Sequence, residues 1–191
     1  MELKIESVEW KRSRIDLLYP ALQRGVLVKV RLGGNLRSLL VGQLGLDPDY
    51  VTKRIQTAFL NGKPVDDFDV ATVGEGAVLT LSGALPGLAG ATLRKGGFYS
   101  SMRASVSYAK GAEREEEQEG FITVRIFNIL LRELAPALLS YGIFFPQREF
   151  LSLVEELEPA DRTEYLRNGG GGDKEAQERG GDSFVRVQSK E

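Results

Sequence analysis

Residues 26–44 carry the pattern that most restricts the fold of this chain. In Val26–Leu32, apolar residues at every second position alternate with two cations, which is the periodicity of a half-buried strand. After Asn35, a residue that favours the first position of a helix, leucines follow at the i, i+3, i+4 and i+8 spacing of one helix face. Gly45 can end that helix. The segment therefore predicts a strand, a tight turn and a short helix, which places the chain in the α+β class.

A hairpin and a further strand follow this unit. Asn61-Gly62 is the strongest short hairpin signal in the chain, because both residues tolerate the positive φ that a two-residue turn requires. Residues 74–76, Gly-Glu-Gly, predict a second turn, and Ala77–Leu81 predicts the strand after it. A weaker alternation within residues 3–18 predicts an earlier strand.

The order of these elements resembles the ubiquitin-related β-grasp sulphur carriers, namely the molybdopterin synthase small subunit and the thiamine sulphur carrier. The resemblance covers residues 26–90 and rests on residues 60–67, with the Asn-Gly hairpin, and on residues 73–81, with the glycine turn before a strand. It implies a β-grasp mixed sheet with a packed helix. We expect this domain to span residues 1–110.

Sulphur carriers of this kind act through a C-terminal Gly-Gly whose carboxylate is activated by an adenylating or sulphur-transfer enzyme. The resemblance assigns that role to Gly96 and Gly97. The chain continues beyond Gly97, so a carrier function requires proteolytic cleavage there. A simple turn before Phe98 is the alternative interpretation of the two glycines.

Composition divides the rest of the chain. Residues 111–120 are acidic and bracketed by glycine, which predicts a linker or an exposed loop. Residues 121–167 predict a strand and two helices packed on the first domain, with Pro136 kinking or splitting the first helix and Pro159 ending the second. Residues 168–191 begin with a run of glycines and have the composition of a flexible tail.

The chain has no cysteine and no histidine. It therefore lacks thiol nucleophiles, thiolate metal ligands and the usual general base near neutral pH. We expect a protein that is not an enzyme, needs no cofactor or metal and acts by binding another protein. One competing interpretation is a cation site formed by Asp66, Asp67 and Asp69 with Asp47 or Asp49, because Ca²⁺ and Mg²⁺ prefer oxygen ligands.

Two further segments are candidate binding sites. Residues 82–110 contain cations but no acid, so Arg94, Lys95 and Arg103 could bind an anion or a nucleic acid, although the basic residues are sparser than nucleic-acid binding usually requires. The apolar run of Ile143, Phe144 and Phe145 is either packed in the core or exposed for a partner protein. No secretory signal or membrane span is evident, which favours a cytoplasmic protein without a membrane partner.

Overall fold

The computed structural model describes residues 5–84, 87–97, 118–168 and 184–190. Its strands are β1 (Ile5–Lys11), β2 (Val26–Arg31), β3 (Thr57–Leu60), β4 (Lys63–Pro64), β5 (Val78–Ser82), β6 (Glu119–Phe127), β7 (Ile143–Pro146) and β8 (Phe184–Lys190). They form one 8-stranded mixed sheet in the order β1-β8-β7-β2-β6-β5-β3-β4. The predicted α+β class is therefore confirmed.

The helices in the described residues are short. They are α1 (Tyr19–Arg24), α2 (Pro48–Lys53), α3 (Gly87–Leu93), α4 (Leu130–Tyr141), α5 (Gln147–Glu155) and α6 (Pro159–Asn168), with a 3₁₀ segment at Arg12–Leu18 and a π-helical segment at Ser38–Gln43. Even α4, with 12 residues, falls short of a bilayer's thickness, and no helix in this part of the chain has the length and apolar character to span a membrane.

The core lies on one face of the sheet, where the helices pack. Leu134 and Leu138 of α4 line the same narrow apolar gap as Val124 of β6. Phe145 of β7 contacts Phe150 of α5, with ring centroids 6.2 Å apart. At the sheet edge, the ring systems of Trp10 and Tyr165 stack 4.0 Å apart and fix α6 against β1. Alternate residues of each strand are buried here because successive side chains of a strand point to opposite faces.

The hairpin is built as its turn residues require. Asn61 and Gly62 both have positive φ, 52° and 77°. The Asn61 side chain accepts a hydrogen bond from the backbone N–H of Val78 at 2.8 Å, which ties the hairpin to β5. Local turn chemistry therefore determines this part of the sheet.

Pro136 does not split its helix, and the second predicted helix ends at Glu155, before Pro159, as predicted, but a further helix begins at Pro159. Pro136 lies inside α4, which continues through it, because six buried apolar side chains hold the helix on the sheet despite the lost backbone hydrogen bond. Pro159 is the first residue of α6, a position where the missing N–H has no helical partner to lose. The region after β6 consequently contains three helices rather than two.

The central and C-terminal strands complete the sheet. β6 lies between β2, to which it is antiparallel, and β5, to which it is parallel. β8 lies between β1 and β7. Residues 184–190 are thus a strand inside the sheet, which corrects the prediction of a flexible tail over all of residues 168–191. Most of the predicted acidic linker, residues 111–117, lies outside the described residues.

Candidate functional site: the open face of the sheet

The second face of the sheet is the candidate site. One row of neighbouring residues crosses it from Arg186 through Phe144, Leu27 and Thr123 to Val78, on five consecutive strands. These side chains alternate with core residues, so they point away from α4, α5 and α6. The open face, as we call it, consists of this row and the residues two positions along the same strands: Lys29, Thr80, Phe121, Arg125 and Phe184.

Aromatic side chains of the open face meet across intervening strands. The backbones of β6 and β8 are separated by two other strands, which corresponds to about 14 Å in a regular sheet. The ring centroids of Phe121 on β6 and Phe184 on β8 are 6.2 Å apart, so the two side chains extend toward each other. Phe144 lies between them, 6% exposed, and meets Phe121 edge to face at 5.3 Å. Phe121, Phe144 and Phe184 together form what we call the aromatic trough.

Arg186 lies on the β8 side of this trough. Its guanidinium carbon is 5.8 Å from the centre of the Phe144 ring, and one N–H group donates to the backbone oxygen of Tyr141 at 3.3 Å. Gly142 makes room for the side chain, because a Cβ atom there would lie 2.8 Å from the Arg186 Nε. The φ of Gly142 is 104°, so other residues are disfavoured there for backbone reasons as well.

Tyr141 lies within the electrostatic influence of three cations. Burial raises the pKa of Tyr141, and the nearby charges of Arg31, Arg186 and Lys29 oppose that shift, whereas Glu119 adds to it. Lys29 forms an ion pair with Glu119. We call Lys29, Arg31 and Arg186 the cationic corner. In the described part of the chain, neither Arg31 nor Arg186 is paired with a carboxylate, so the corner carries excess positive charge.

β2 is held at the cationic corner by a side chain. β7 pairs with β2 only at Leu27, so among the residues that the structure describes no strand lies beside the backbone of Arg31 on that edge. Gln43 replaces the missing strand: its side chain accepts from the Arg31 N–H at 2.8 Å and donates to the Arg31 oxygen at 3.0 Å. The Arg31 backbone is therefore fixed while its side chain is exposed.

A second polar cluster, between α2 and α4, is structural. Tyr50 donates its hydroxyl hydrogen to Glu133 at 2.7 Å, and Arg54 forms an ion pair with the same carboxylate. The Arg54 guanidinium lowers the pKa of Glu133, whereas burial, followed by the bond to Glu133, raises the pKa of Tyr50. Tyr50 is thus a neutral donor at physiological pH and is not suited to be a base. The cluster links two helices.

This link gives a pH-dependent prediction for Glu133→Gln. Because the pKa of Glu133 is lower in the folded than in the unfolded chain, the carboxylate stabilises the fold above the ordinary glutamate pKa of about 4.3. That contribution disappears as pH falls through the folded-state pKa. We expect a small loss of Tm in the variant at pH 7, a few degrees at most, and no loss under strongly acidic conditions. A difference that persists in acid would assign the effect to packing.

The predicted carrier residues are held against the domain. The backbone N–H of Lys95 donates to Gln56 at 2.7 Å, that of Gly96 to Asp66 at 3.3 Å, and that of Gly97 to Arg94 at 3.1 Å. A tail that enters a partner's active site would first have to release these contacts. Gly96 has a φ of 60°, which suits a turn after α3.

Of the three predicted anion-binding cations, Lys95 points inward. Its ammonium group lies 4.0 Å from the centre of the Phe68 ring and donates to the Val51 oxygen at 3.3 Å. Burial lowers the pKa of Lys95. Arg94 lines a shallow cavity of about 180 Å³ beside α3, and Arg103 lies outside the described residues. A surface formed by all three cations therefore stays a prediction.

The predicted acidic cation site does not assemble in the described residues. Asp47 accepts from the Tyr50 N–H at the start of α2, Asp49 pairs with Lys53 at 2.6 Å, and Asp69 pairs with Arg37 at 2.7 Å. In the described ranges, no three acidic side chains are grouped as metal ligands would be.

Ile143, Phe144 and Phe145 form β7 rather than a connection, and all three are buried. Ile143 and Phe145 point into the core, whereas Phe144 is the floor of the aromatic trough. The sequence alone does not single out Phe121, Phe184 or Arg186 as site residues. The pattern that could have identified Phe184 and Arg186 is the alternation of Phe184-Val185-Arg186-Val187, which is typical of a strand and follows a glycine-rich segment.

Comparison of the chain with protein-family models, with curated proteins and with solved structures finds no match.

Proposed function

We propose that this protein is a non-catalytic module that binds another protein through the open face of its sheet. The observation that carries the proposal is the aromatic trough, an apolar surface bordered by arginines that pair with no carboxylate in the described residues. An apolar centre with a charged rim is the usual composition of a protein–protein interface. The face is also continuous across five strands, which is sufficient width for a partner surface.

We further propose that β2 to β6 form a β-grasp unit with a changed strand order. Support comes from the sheet order β2-β6-β5-β3-β4, with a parallel pair, β5 and β6, at its centre and antiparallel strands on both sides. In ubiquitin-like folds the first strand holds the central place. Here that place is taken by β6, which follows the hairpin and β5 in the sequence.

This arrangement favours an uncut chain over a carrier that ends at Gly97. Residues up to Gly97 contain β2 and β5 but not β6, the strand that lies between them. A released carrier would therefore lack the centre of its own sheet. We infer that the chain acts without cleavage at Gly97.

Site-specific photo-crosslinking tests the binding function. A photoreactive amino acid in place of Thr123, on the open face, is expected to capture a protein from the native cell extract. The same group in place of the exposed Arg148, on α5 in the helical layer, is the matched control and should not capture it.

The captured protein is then purified and its affinity measured. Arg125→Glu on the open face is expected to weaken binding about tenfold or more, which corresponds to about 1.4 kcal/mol, whereas Arg148→Glu should leave the affinity unchanged. Cross-linking from position 148 alone, or equal affinities of the two variants, would refute the proposed surface.

A further inference from the structure

We propose that the partner presents an acidic segment whose carboxylates bind Arg186 and Arg31 of the cationic corner while a neighbouring apolar side chain packs in the aromatic trough. The inference rests on the proposed function and specifies the chemistry of the partner. It is drawn from the hydrogen-bond donors of Arg186, the charges of the corner and the packing of the rings.

Arg186 has unused hydrogen-bond donors. A guanidinium carries five N–H groups, and in this structure one of its nitrogens donates, to the Tyr141 oxygen. The Nε is buried without an acceptor, so a ligand that arrives from solvent reaches this guanidinium through its two Nη groups. A carboxylate can accept two parallel N–H bonds from a guanidinium. An incoming carboxylate is therefore the ligand that best satisfies Arg186.

The charges of the corner also select an anion. Glu119 is already engaged by Lys29, so it does not neutralise Arg31 or Arg186. The Tyr141 hydroxyl lies among the same charges and, with its raised pKa, stays protonated and able to donate. An acidic segment would thus meet the guanidinium groups of Arg31 and Arg186, neither of which is paired with a carboxylate in the described residues, and the Tyr141 hydroxyl donor.

The aromatic rings favour a polypeptide over a single-stranded nucleic acid. A base needs a free ring face on which to stack. The rings of Phe121 and Phe184 are nearly parallel, with 14° between their planes, and their centroids are 6.2 Å apart, which is too close for a base to insert between them; Phe144 is almost fully buried beneath them. The net charge of the chain is −2, which also disfavours a polyanion of high charge density. A leucine-sized side chain against the ring edges suits this surface better.

Titration of the ¹⁵N-labelled full-length protein tests the inference. The probe is a short synthetic peptide of glutamate and leucine separated by serine, and its matched control has glutamine in place of every glutamate. We expect the glutamate peptide to shift the Nε–Hε resonance of Arg186 and the amide resonances of β2 and β8. The glutamine peptide should produce no such shifts.

Variants identify the residues responsible. We expect Arg31→Gln, which changes an exposed side chain, to weaken binding of the glutamate peptide at least tenfold. Arg186→Gln is expected to weaken this binding by at least the same factor. Arg186→Lys should retain part of the affinity, and Arg148→Gln should retain all of it. Thermal unfolding of each variant shows whether it is folded. If Arg186→Gln is unfolded, the peptide affinity of Arg31→Gln decides the result. The inference would be overturned if the two peptides bind equally or if neither binds. It would also be overturned if a uridine oligonucleotide binds more tightly than the glutamate peptide.

The inference can fail while the proposed function stands. If the protein captured from position 123 binds Arg31→Gln and Arg186→Gln as tightly as the wild type, but loses affinity with Arg125→Glu, the open face binds a protein of different chemistry. If the glutamate peptide binds as expected and no protein is captured at position 123, the anion site exists and the proposed protein-binding function is refuted.

Discussion

A chain that ends at Gly97 is expected to show no cooperative unfolding transition and little dispersion of its amide-proton resonances. The truncation removes β6, so β2 and β5 lose the strand that joins them. It also removes Ile122, Val124 and Ile126, which are fully buried. Circular dichroism during a urea titration, together with a proton–nitrogen correlation spectrum, measures the result.

The control distinguishes the effect of peptide-bond cleavage on folding from the effect of losing β6. A protease site inserted after Gly97 in the full-length chain allows the backbone to be cut while both fragments remain together. Because β6 is held by hydrogen bonds to β2 and β5, we expect the cut pair to stay folded. A folded, monomeric fragment ending at Gly97 would contradict the uncut active form and would favour the carrier function instead.

Val187→Asp is expected to destabilise the protein by at least about 3 kcal/mol, the cost of an uncompensated buried charge. Total stabilities of domains are about 5–15 kcal/mol, so much of the chain would be unfolded at equilibrium in mild urea. The side chain of Val187 is 0% exposed and points into the core from β8, between β1 and β7. Urea unfolding at pH 7, followed by circular dichroism, measures the loss.

Gln188→Asp is the matched control for this substitution. The residue is adjacent, half-exposed and on the opposite face of the same strand. The same carboxylate there remains in contact with water, so we expect less than about 0.5 kcal/mol of change, as for ordinary surface substitutions. Similar small effects at both positions would show that residues 184–190 do not form an inner strand in solution.

The parts of the fold that the sequence predicts are those determined by local chemistry. The alternation of Val26–Leu32 and the positive φ of Asn61-Gly62 act over a few residues and correspond to β2 and the β3–β4 hairpin. β8 is different, because its neighbours β1 and β7 are distant in the sequence. A short alternating run after many glycines is predicted to be a tail from its composition alone. Only the neighbouring strands show that it is part of the sheet.

The candidate site was less predictable than the fold. The three rings of the aromatic trough belong to three strands, and they meet only in the assembled sheet. No spacing in the sequence encodes the order of those strands. The hypothesis for Ile143, Phe144 and Phe145 treated them as one apolar run, whereas the strand places Phe144 on the opposite face from its two neighbours.

The pairing of β1 with β8 affects the order in which the chain can fold during synthesis. β1 is synthesised well before β8, which is its only partner strand among the described residues. Contacts so distant in sequence form slowly, because a long loop must close first. The nascent chain therefore carries the indole of Trp10 without its stacking partner until Tyr165 has been synthesised, and this is the stage at which a chaperone would be needed most.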